Sequence, residues 1–277
     1  MAELKDSFQG KLALITGGSS GLGLALASQL AEQGANVWLI ARRKDVLESA
    51  YKALQSATGQ KHGMISADVT NWDQVQSAVA KVIREAGVPD LLINCAGAAH
   101  PGYVQEIPVE VFHQMMDLDY FGSINMVNAV LPGMLERGSG HIVNISSAAG
   151  FLAPFGYAAY SPAKYAVRGF SDVLRLELKP LGVRVSLAFP PDMDTPGMVN
   201  ENKTKPFETI EAFSTKLVPA GPVAKSILNG VRRGKYIILP GFDTRILYYL
   251  VFLVGNGVYP LVDMMLAQAR AKKNKSK

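Results

Sequence analysis

The stretch Thr16-Gly-Gly-Ser-Ser-Gly-Leu-Gly23 follows a short apolar run that begins at Leu12. Glycines permit a tight turn and close backbone approach, and the free amides and partial positive charge at a helix N-terminus bind phosphate groups. The stretch therefore predicts a strand, a turn and a helix that hold a pyrophosphate. The residues expected at the phosphates are Gly17, Ser19, Ser20, Gly21, Leu22 and Gly23.

The same residues also contain Gly17-x-Ser19-x-Gly21, the pattern of a hydrolase nucleophile elbow. We reject this alternative because the elbow would lie on the first strand. In addition, none of the four histidines (His62, His100, His113 and His141) has a recognisable triad context, and their scatter offers no metal-ligand spacing.

Short apolar runs rich in β-forming residues alternate with helical patterns along the chain. The predicted strands are 12–16, 36–41, 62–67, 91–95, 141–146, 184–188 and 236–239. This alternation predicts an α/β fold, a doubly wound, mostly parallel seven-stranded sheet with helices on both faces. Helices are predicted at 71–86, where Thr70-x-x-Asp73 is a capping signal, and at 158–181.

Polar residues, a glycine and a pair of prolines follow most of these strands, at the edge where such sheets bind ligands. They are Arg42, Asp68, Asn94-Cys-Ala-Gly97, Ser147 and Pro190-Pro191. After the second strand the chain reads Ile40-Ala41-Arg42-Arg43-Lys44, and a guanidinium matches phosphate geometry, which favours NADP(H) over NAD(H). The alternative is a solvated basic helix start. Asp68 and Val69 are expected to contact the adenine ring, although Asp68 could equally begin the Thr70 cap.

Ser147, Tyr160 and Lys164 follow at fixed spacing, with Tyr160 and Lys164 one helical turn apart on one face. Together with the glycine stretch and Asn94-Cys-Ala-Gly97, they resemble the short-chain dehydrogenase/reductase family from Lys11 to about Leu239. The resemblance implies a Rossmann-like fold and NADPH-dependent ketone reduction. The resemblance makes Tyr160 the general acid. Lys164 would lower the pKa of Tyr160 and hold the nicotinamide ribose. Ser147, rather than Ser146, would donate a hydrogen bond to the substrate oxygen.

The resemblance extends to further residues. It implies cofactor contacts by Asn94, Ala96, Gly97, Pro190 and Thr195, as well as by Tyr160 and Lys164. The family usually has an Asn in a pattern like Asn-x-x-Gly on the preceding helix, whereas this chain has Asp119-Tyr-Phe-Gly122. Asp119 thus replaces the fourth catalytic residue, which predicts retained activity with an altered pH profile.

The segment Phe189-Pro-Pro-Asp-Met-Asp-Thr-Pro-Gly197 and the following Glu201-Asn-Lys-Thr-Lys-Pro206 are similar to the branch of the family that reduces 3-keto sphingoid bases. This similarity implies a long-chain ketone substrate. Asp192 or Asp194 could attract its ammonium group or shape a turn, and residues 190–217 could close as a lid. A different ketone (lipid-like, steroid or acyl) and a non-catalytic NADP-binding sensor remain the alternatives.

The remaining sequence divides the chain into a catalytic domain, 1–240, and an apolar, basic extension, 241–277. Because Gly255, Asn256, Gly257 and Asp263 interrupt the apolar residues, we expect no membrane-spanning helix. Interfacial insertion with a lipid-attracted basic tail is favoured over an oligomer contact.

Length and composition limit the remaining possibilities. At 277 residues and 48% hydrophobic content, the chain can bury one large core. The net charge of +5 equals the charge of the five basic residues after Asp263, so the rest of the chain is neutral overall. This balance excludes a nucleic-acid-binding function for the rest of the chain. The single Cys95 and an N-terminus without an apolar signal favour a cytoplasmic location, peripheral on a membrane. The family resemblance implies a homodimer or homotetramer.

Overall fold

The computed structural model describes residues 8–213 and 215–275. Its main sheet has seven parallel strands in the order β3-β2-β1-β4-β5-β6-β9. They are β1 Leu12–Thr16, β2 Asn36–Ala41, β3 Gly63–Ser66, β4 Leu91–Asn94, β5 Gly140–Ile145, β6 Val183–Ala188 and β9 Ile237–Ile238. The strand order reverses between β1 and β4, so a ligand crevice forms at their carboxyl ends.

The predicted fold class is confirmed. All seven predicted strands are present, and their ends differ from the prediction by at most one residue. The agreement reflects burial, since β1 and β4 are buried at every residue and read as continuous apolar runs.

Helices cover both faces of the sheet. They are α1 Gly21–Glu32, α2 Lys44–Ala57, α3 Trp72–Ala86, α4 Val109–Met115, α5 Gly122–Arg137, α6 Ser161–Leu178, α7 Pro196–Glu201, α8 Phe207–Phe213, α9 Ala220–Arg232, α10 Phe242–Val254 and α11 Val258–Lys275. One core lies under α1, α2 and α9, and contains Leu26 and Leu30 with no exposed surface. The other lies under α3, α5 and α6, around Met126 and Val130. Full burial of each such side chain contributes about 1.5–3 kcal/mol.

The start of α3 corrects one prediction. The Asn71 side chain, not Thr70, caps the helix by accepting a hydrogen bond from the Gln74 amide at 3.0 Å. The Thr70 hydroxyl instead donates to Asp68 at 2.9 Å, so Asp68 organises the turn before the cap. Asn is as good an N-cap as Ser or Asp, and it leaves the helix beginning at Trp72.

The predicted lid segment, residues 190–217, follows β6 and loops out from the main sheet. Its two ends pair as a small parallel sheet, β7 Met193–Asp194 with β8 Val218–Pro219, and it carries α7 and α8 between them. The Thr195 hydroxyl accepts from the Met198 amide and caps α7. The segment therefore has structure of its own and returns to the domain at α9.

The C-terminal region confirms the predicted break in the apolar segment. Gly255–Gly257 form a 3-10 turn between α10 and α11, and Gly255 has a φ of +57°. By length and composition alone, Phe242–Asn274 is long and apolar enough to cross a membrane. Its most apolar 18-residue window has a mean hydropathy of 1.6, and 11% of that window is buried. Part of α10 nevertheless packs on the domain, where Leu247 and Tyr248 contact buried Phe189 and its neighbours.

Candidate active site

The glycine turn is held tightly against the end of β4. Gly17 has φ +67°, and a Cβ atom there would lie 2.9 Å from the Ala96 backbone. The Thr16 hydroxyl accepts hydrogen bonds from the amides of Cys95 and Ala96, both at 3.0 Å. A glycine at position 17 is therefore required both by the backbone conformation and by the close approach of the two segments.

The first turn of α1 faces the start of the lid segment. Ser19 is buried, and Ser20 occupies the N-cap position without a side-chain cap, so the helix begins with backbone amides that need acceptors. A Cβ atom on Gly21 would lie 3.3 Å from the Thr195 side chain. Leu22 and Gly23 continue the turn into the helix, with a Cβ on Gly23 only 2.3 Å from the Gly17 carbonyl oxygen. The geometry can enclose a phosphate between the turn and Thr195.

Arg42 lies at the carboxyl end of β2 beside Asp68. Their side chains are 3.6 Å apart and about three-fifths and three-tenths exposed, respectively. Arg43 is exposed at the start of α2, whereas Val69 is buried against Gly122. A guanidinium held beside a carboxylate but open to solvent can still bind a phosphate.

Asn94 points into the protein interior. Its amide donates to the Asn144 side chain at 2.9 Å, and Asn144 donates to Ser171 at 2.9 Å, so the three link β4, β5 and α6. Buried polar networks of this kind fix the relative positions of the elements that they join. The cofactor contacts predicted for Asn94 and Pro190 stay predictions.

Ser147, Tyr160 and Lys164 come together at the carboxyl end of β5. Tyr160 lies at the start of α6, and the Lys164 Nζ is 5.5 Å from its ring centroid. The Ser147 hydroxyl acts on Tyr160 in the direction that lowers the tyrosine pKa. The buried Ser146 hydroxyl instead donates to the Lys164 carbonyl at 3.1 Å. Of the two adjacent hydroxyls, Ser147 is the one directed at the tyrosine.

Asp119 contacts the same lysine from a π-helical turn, Met116–Phe121, between α4 and α5. Its Oδ1 lies 3.0 Å from the Lys164 Nζ, and the two side chains are 0% and 6% exposed. Gly97 covers the pair, because a Cβ there would lie 2.3 Å from Oδ1. Lys164 also donates to the Ile145 carbonyl at 3.2 Å. The lysine ammonium is thus held by a carboxylate and a backbone carbonyl.

Burial dominates the electrostatics of Tyr160 and raises its pKa to about 12. The Lys164 ammonium and the Ser147 hydrogen bond lower it, whereas the negative charge of Asp119 raises it. Lys164 acts in the predicted direction, but burial outweighs it. For Lys164 itself, burial lowers the pKa, and the charges of Asp119 and Tyr160 overcome this effect and raise it, so the ammonium stays protonated.

Two residues that the sequence did not single out as site residues join the lid to the site. The Tyr157 hydroxyl donates to the Glu201 carboxylate at the end of α7, and the Tyr157 and Tyr160 ring centroids are 6.0 Å apart. Lys205 Nζ lies 3.2 Å from the same carboxylate. The position of Tyr157 three residues before Tyr160 could have indicated it. No local pattern connects it to Glu201.

Tyr157 also lines an apolar groove of about 540 Å³. The groove runs between the loop after β4 and the start of α6, and its walls include Tyr103, Phe155 and Tyr165. Its size and lining suit a small or medium-sized apolar ligand group.

The basic end of α11 lies against the lid rather than pointing away from the protein. Lys272 is 3.0 Å from Glu211, and Lys273 is 3.2 Å from Glu208, whose carboxylate also accepts from the Tyr103 hydroxyl at 2.6 Å. These contacts connect α11, α8 and the loop after β4.

Comparison with known proteins gives a consistent result. The short chain dehydrogenase family model matches residues 11–206. A 3-ketodihydrosphingosine reductase of Mus musculus is 38% identical over 91% of this chain and 76% of its own length. A 3-dehydrosphinganine reductase of Danio rerio is 42% identical with the same coverage. A short chain dehydrogenase from Burkholderia cenocepacia, solved in complex with NADP, is 25% identical, with a TM-score of 0.79 over 93% of this chain and 99% of that one.

Proposed function

Because the chain belongs to the short-chain dehydrogenase family, we propose that it reduces the 3-keto group of a long-chain sphingoid base with NADPH, giving dihydrosphingosine. The proposal is based on one observation: Ser147, Tyr160 and Lys164 lie together beside a lid segment. The chain that holds them is 38–42% identical to two reductases of this substrate class.

The residues present fit NADP(H). The close approach of Gly17 to Ala96 leaves the turn without side chains, and the uncapped start of α1 offers amides to a pyrophosphate. Gly17, Ser19, Ser20, Gly21, Leu22, Gly23 and Thr195 would hold the phosphates, and Ala96, Gly97 and Pro190 would border the nicotinamide side. Arg42 and Arg43 would bind the 2′-phosphate, with Asp68 and Val69 at the adenine. When bound, NADPH supplies the hydride for the carbonyl carbon.

Tyr160 supplies the proton. Its raised pKa keeps the phenol protonated at neutral pH, which suits an acid that donates to the carbonyl oxygen as negative charge develops there. Ser147 donates a hydrogen bond to the same oxygen and stabilises the developing alkoxide. Lys164, kept charged by Asp119, opposes the effect of burial on Tyr160 and holds the nicotinamide ribose.

The substrate would enter between the loop after β4 and the lid segment, with its alkyl chain along the apolar groove that Tyr157 lines. A long apolar substrate also favours contact with a membrane. The exposed apolar residues of α10 and α11, among them Leu253 at 86% and Tyr249 at 63%, form a surface that a lipid interface would cover.

We further propose residues 1–240 as the catalytic domain and 241–277 as a peripheral anchor on the cytosolic face of a membrane. Because Lys272 and Lys273 pair with lid glutamates, the apolar surface rather than these lysines would provide the main attraction. A homodimer or homotetramer stays a prediction from the family.

NADPH oxidation with a 3-keto sphingoid base, measured beside a 3-oxoacyl thioester, tests the proposed substrate. We expect a higher kcat/KM for the sphingoid base. A preference for the thioester would assign the enzyme to another ketone, and NADPH binding without oxidation of either would favour a sensor.

A further inference from the structure

We propose that Glu201 recognises the ammonium group of the substrate and thereby selects 2-amino ketones. This inference deepens the proposed function and rests on it, since a 3-keto sphingoid base carries an ammonium on the carbon next to its carbonyl. A residue that binds this ammonium must lie close to Tyr160, the proton donor of the reaction. It must also carry a negative charge that faces the substrate.

Glu201 meets the first requirement through Tyr157. The Tyr157 hydroxyl binds its carboxylate, and the Tyr157 ring centroid is 6.0 Å from that of Tyr160. The carboxylate therefore lies one side chain away from the general acid. Its charge acts on Tyr160 directly, as one of the groups that raise the tyrosine pKa. An ammonium adjacent to a carbonyl bound at Tyr160 would point into the same region.

Glu201 meets the second requirement even though it pairs with Lys205, because a carboxylate can bind a second cation through its other oxygen. In the described part of the chain, Tyr157 and Lys205 both contact Oε1 of the carboxylate. A carboxylate has about four lone-pair sites on its two oxygens, so Oε2 can accept from a ligand while these contacts persist. The side chain is 14% exposed, which strengthens a charge-assisted hydrogen bond relative to one in open water.

The other acids near the site have different surroundings. Asp119 is fully buried against Lys164. Asp192 accepts a hydrogen bond from the Thr215 hydroxyl at 3.0 Å, which ties together the two ends of the lid segment. Asp194 lies exposed in β7. Neither of the two acids suggested by the sequence has a link to the catalytic tyrosine comparable to that of Glu201.

The test compares two substrates and five proteins. NADPH oxidation is measured with a 3-keto sphingoid base and with the same 1-hydroxy-3-ketone lacking the amino group. The proteins are the wild type, Glu201→Gln, Glu201→Asp, Glu211→Gln and Asp194→Asn. Glu211 is the matched control, because it is another lid glutamate paired with a lysine, but on α8 and with Lys272.

Glu201→Gln is expected to lower kcat/KM for the amino ketone about 10- to 100-fold, because the amide oxygen can still accept from the ammonium but the negative charge is lost. The loss should fall mainly on KM, and the des-amino ketone should be little affected. Glu201→Asp should retain much of the preference, and Glu211→Gln should retain all of it. NADPH binding, followed by fluorescence, shows that each variant is folded.

Equal losses on both ketones, or an unchanged preference in Glu201→Gln, would overturn the inference and leave the proposed function intact. A loss of preference in Asp194→Asn instead would move the role to that residue and also overturn it. If the wild type reduces both ketones equally well, the inference fails, whereas the proposed function fails only if the 3-keto sphingoid base itself is not reduced.

Discussion

The Nζ of Lys164 and the Oδ1 of Asp119 lie 3.0 Å apart, almost completely shielded from water. Removing one partner of a buried pair typically costs about 3–5 kcal/mol, because the other charge is left uncompensated. The pair also sits beside Tyr160, whose pKa Asp119 raises and Lys164 lowers. Asp119 therefore acts on the proton donor both directly and by keeping the lysine charged.

Asp119→Asn tests this relationship through the pH–rate profile. Reduction needs protonated Tyr160, so activity declines as pH rises through its pKa. Removing the negative charge of Asp119 lowers that pKa, and the alkaline limb of kcat/KM should move to lower pH. Asp117→Asn, an exposed neighbour on the same π-helical turn, is the matched control. An alkaline limb that stays in place would remove the role of the carboxylate, whereas a move to higher pH would show that its larger effect is to keep Lys164 charged.

Tyr160→Phe tests the proton donor itself. Loss of general acid catalysis should reduce kcat by about 10²–10⁴-fold, while NADPH binding, measured by fluorescence, is retained. Tyr51→Phe is the control, because Tyr51 lies on α2 outside the proposed site and its hydroxyl accepts from Gln55 of the same helix, so this variant keeps its activity if the effect is specific. Near-normal turnover by Tyr160→Phe would exclude the proposed mechanism.

Arg42→Ala tests cofactor selection. The guanidinium is open to solvent beside Asp68, and its loss should raise the KM for NADPH about 10- to 100-fold, as expected for a charged hydrogen bond to phosphate. The KM for NADH should hardly change, because NADH lacks the 2′-phosphate. Arg84→Ala, an exposed arginine on α3, serves as the control. Parallel losses with both cofactors would mean that Arg42 supports structure rather than selectivity.

The sequence predicts the parts of this site that depend on local patterns. The glycine turn is such a part, because the positive φ of Gly17 and its approach to Ala96 admit few other residues. The strands are another, because buried parallel strands are continuous apolar runs. The replacement at Asp119 was visible by motif position, but its contact with Lys164 depends on how the π-helical turn is packed.

Contacts between distant segments could not be predicted in this way. The Tyr157–Glu201 hydrogen bond joins residues 44 positions apart and depends on how the lid folds back. The same holds for the basic tail. Lys272 and Lys273 looked like free charges suited to lipid, yet they pair with Glu211 and Glu208 of α8. Charge counting gives the sign of a segment but not the partner that it finds in the folded chain.

The position of these lysines decides how the membrane proposal is best tested. Deleting residues 245–277 would remove the Lys273–Glu208 contact and uncover Phe189 on the domain, so a loss of vesicle binding could reflect damage to the lid. Leu253→Glu avoids this problem, because the side chain is 86% exposed and changing it removes no core contact.

A leucine buried at a lipid interface contributes about 1.5–3 kcal/mol, so Leu253→Glu should weaken binding to anionic lipid vesicles by at least about 10-fold in a sedimentation assay. Leu176→Glu replaces a leucine that is 68% exposed on α6, outside the C-terminal helices, and should bind vesicles as the wild type does. NADPH binding should be unchanged in both. Equal vesicle binding by Leu253→Glu and the wild type would show that α10 does not face the lipid. The C-terminal apolar surface would then be a candidate contact between copies of the chain.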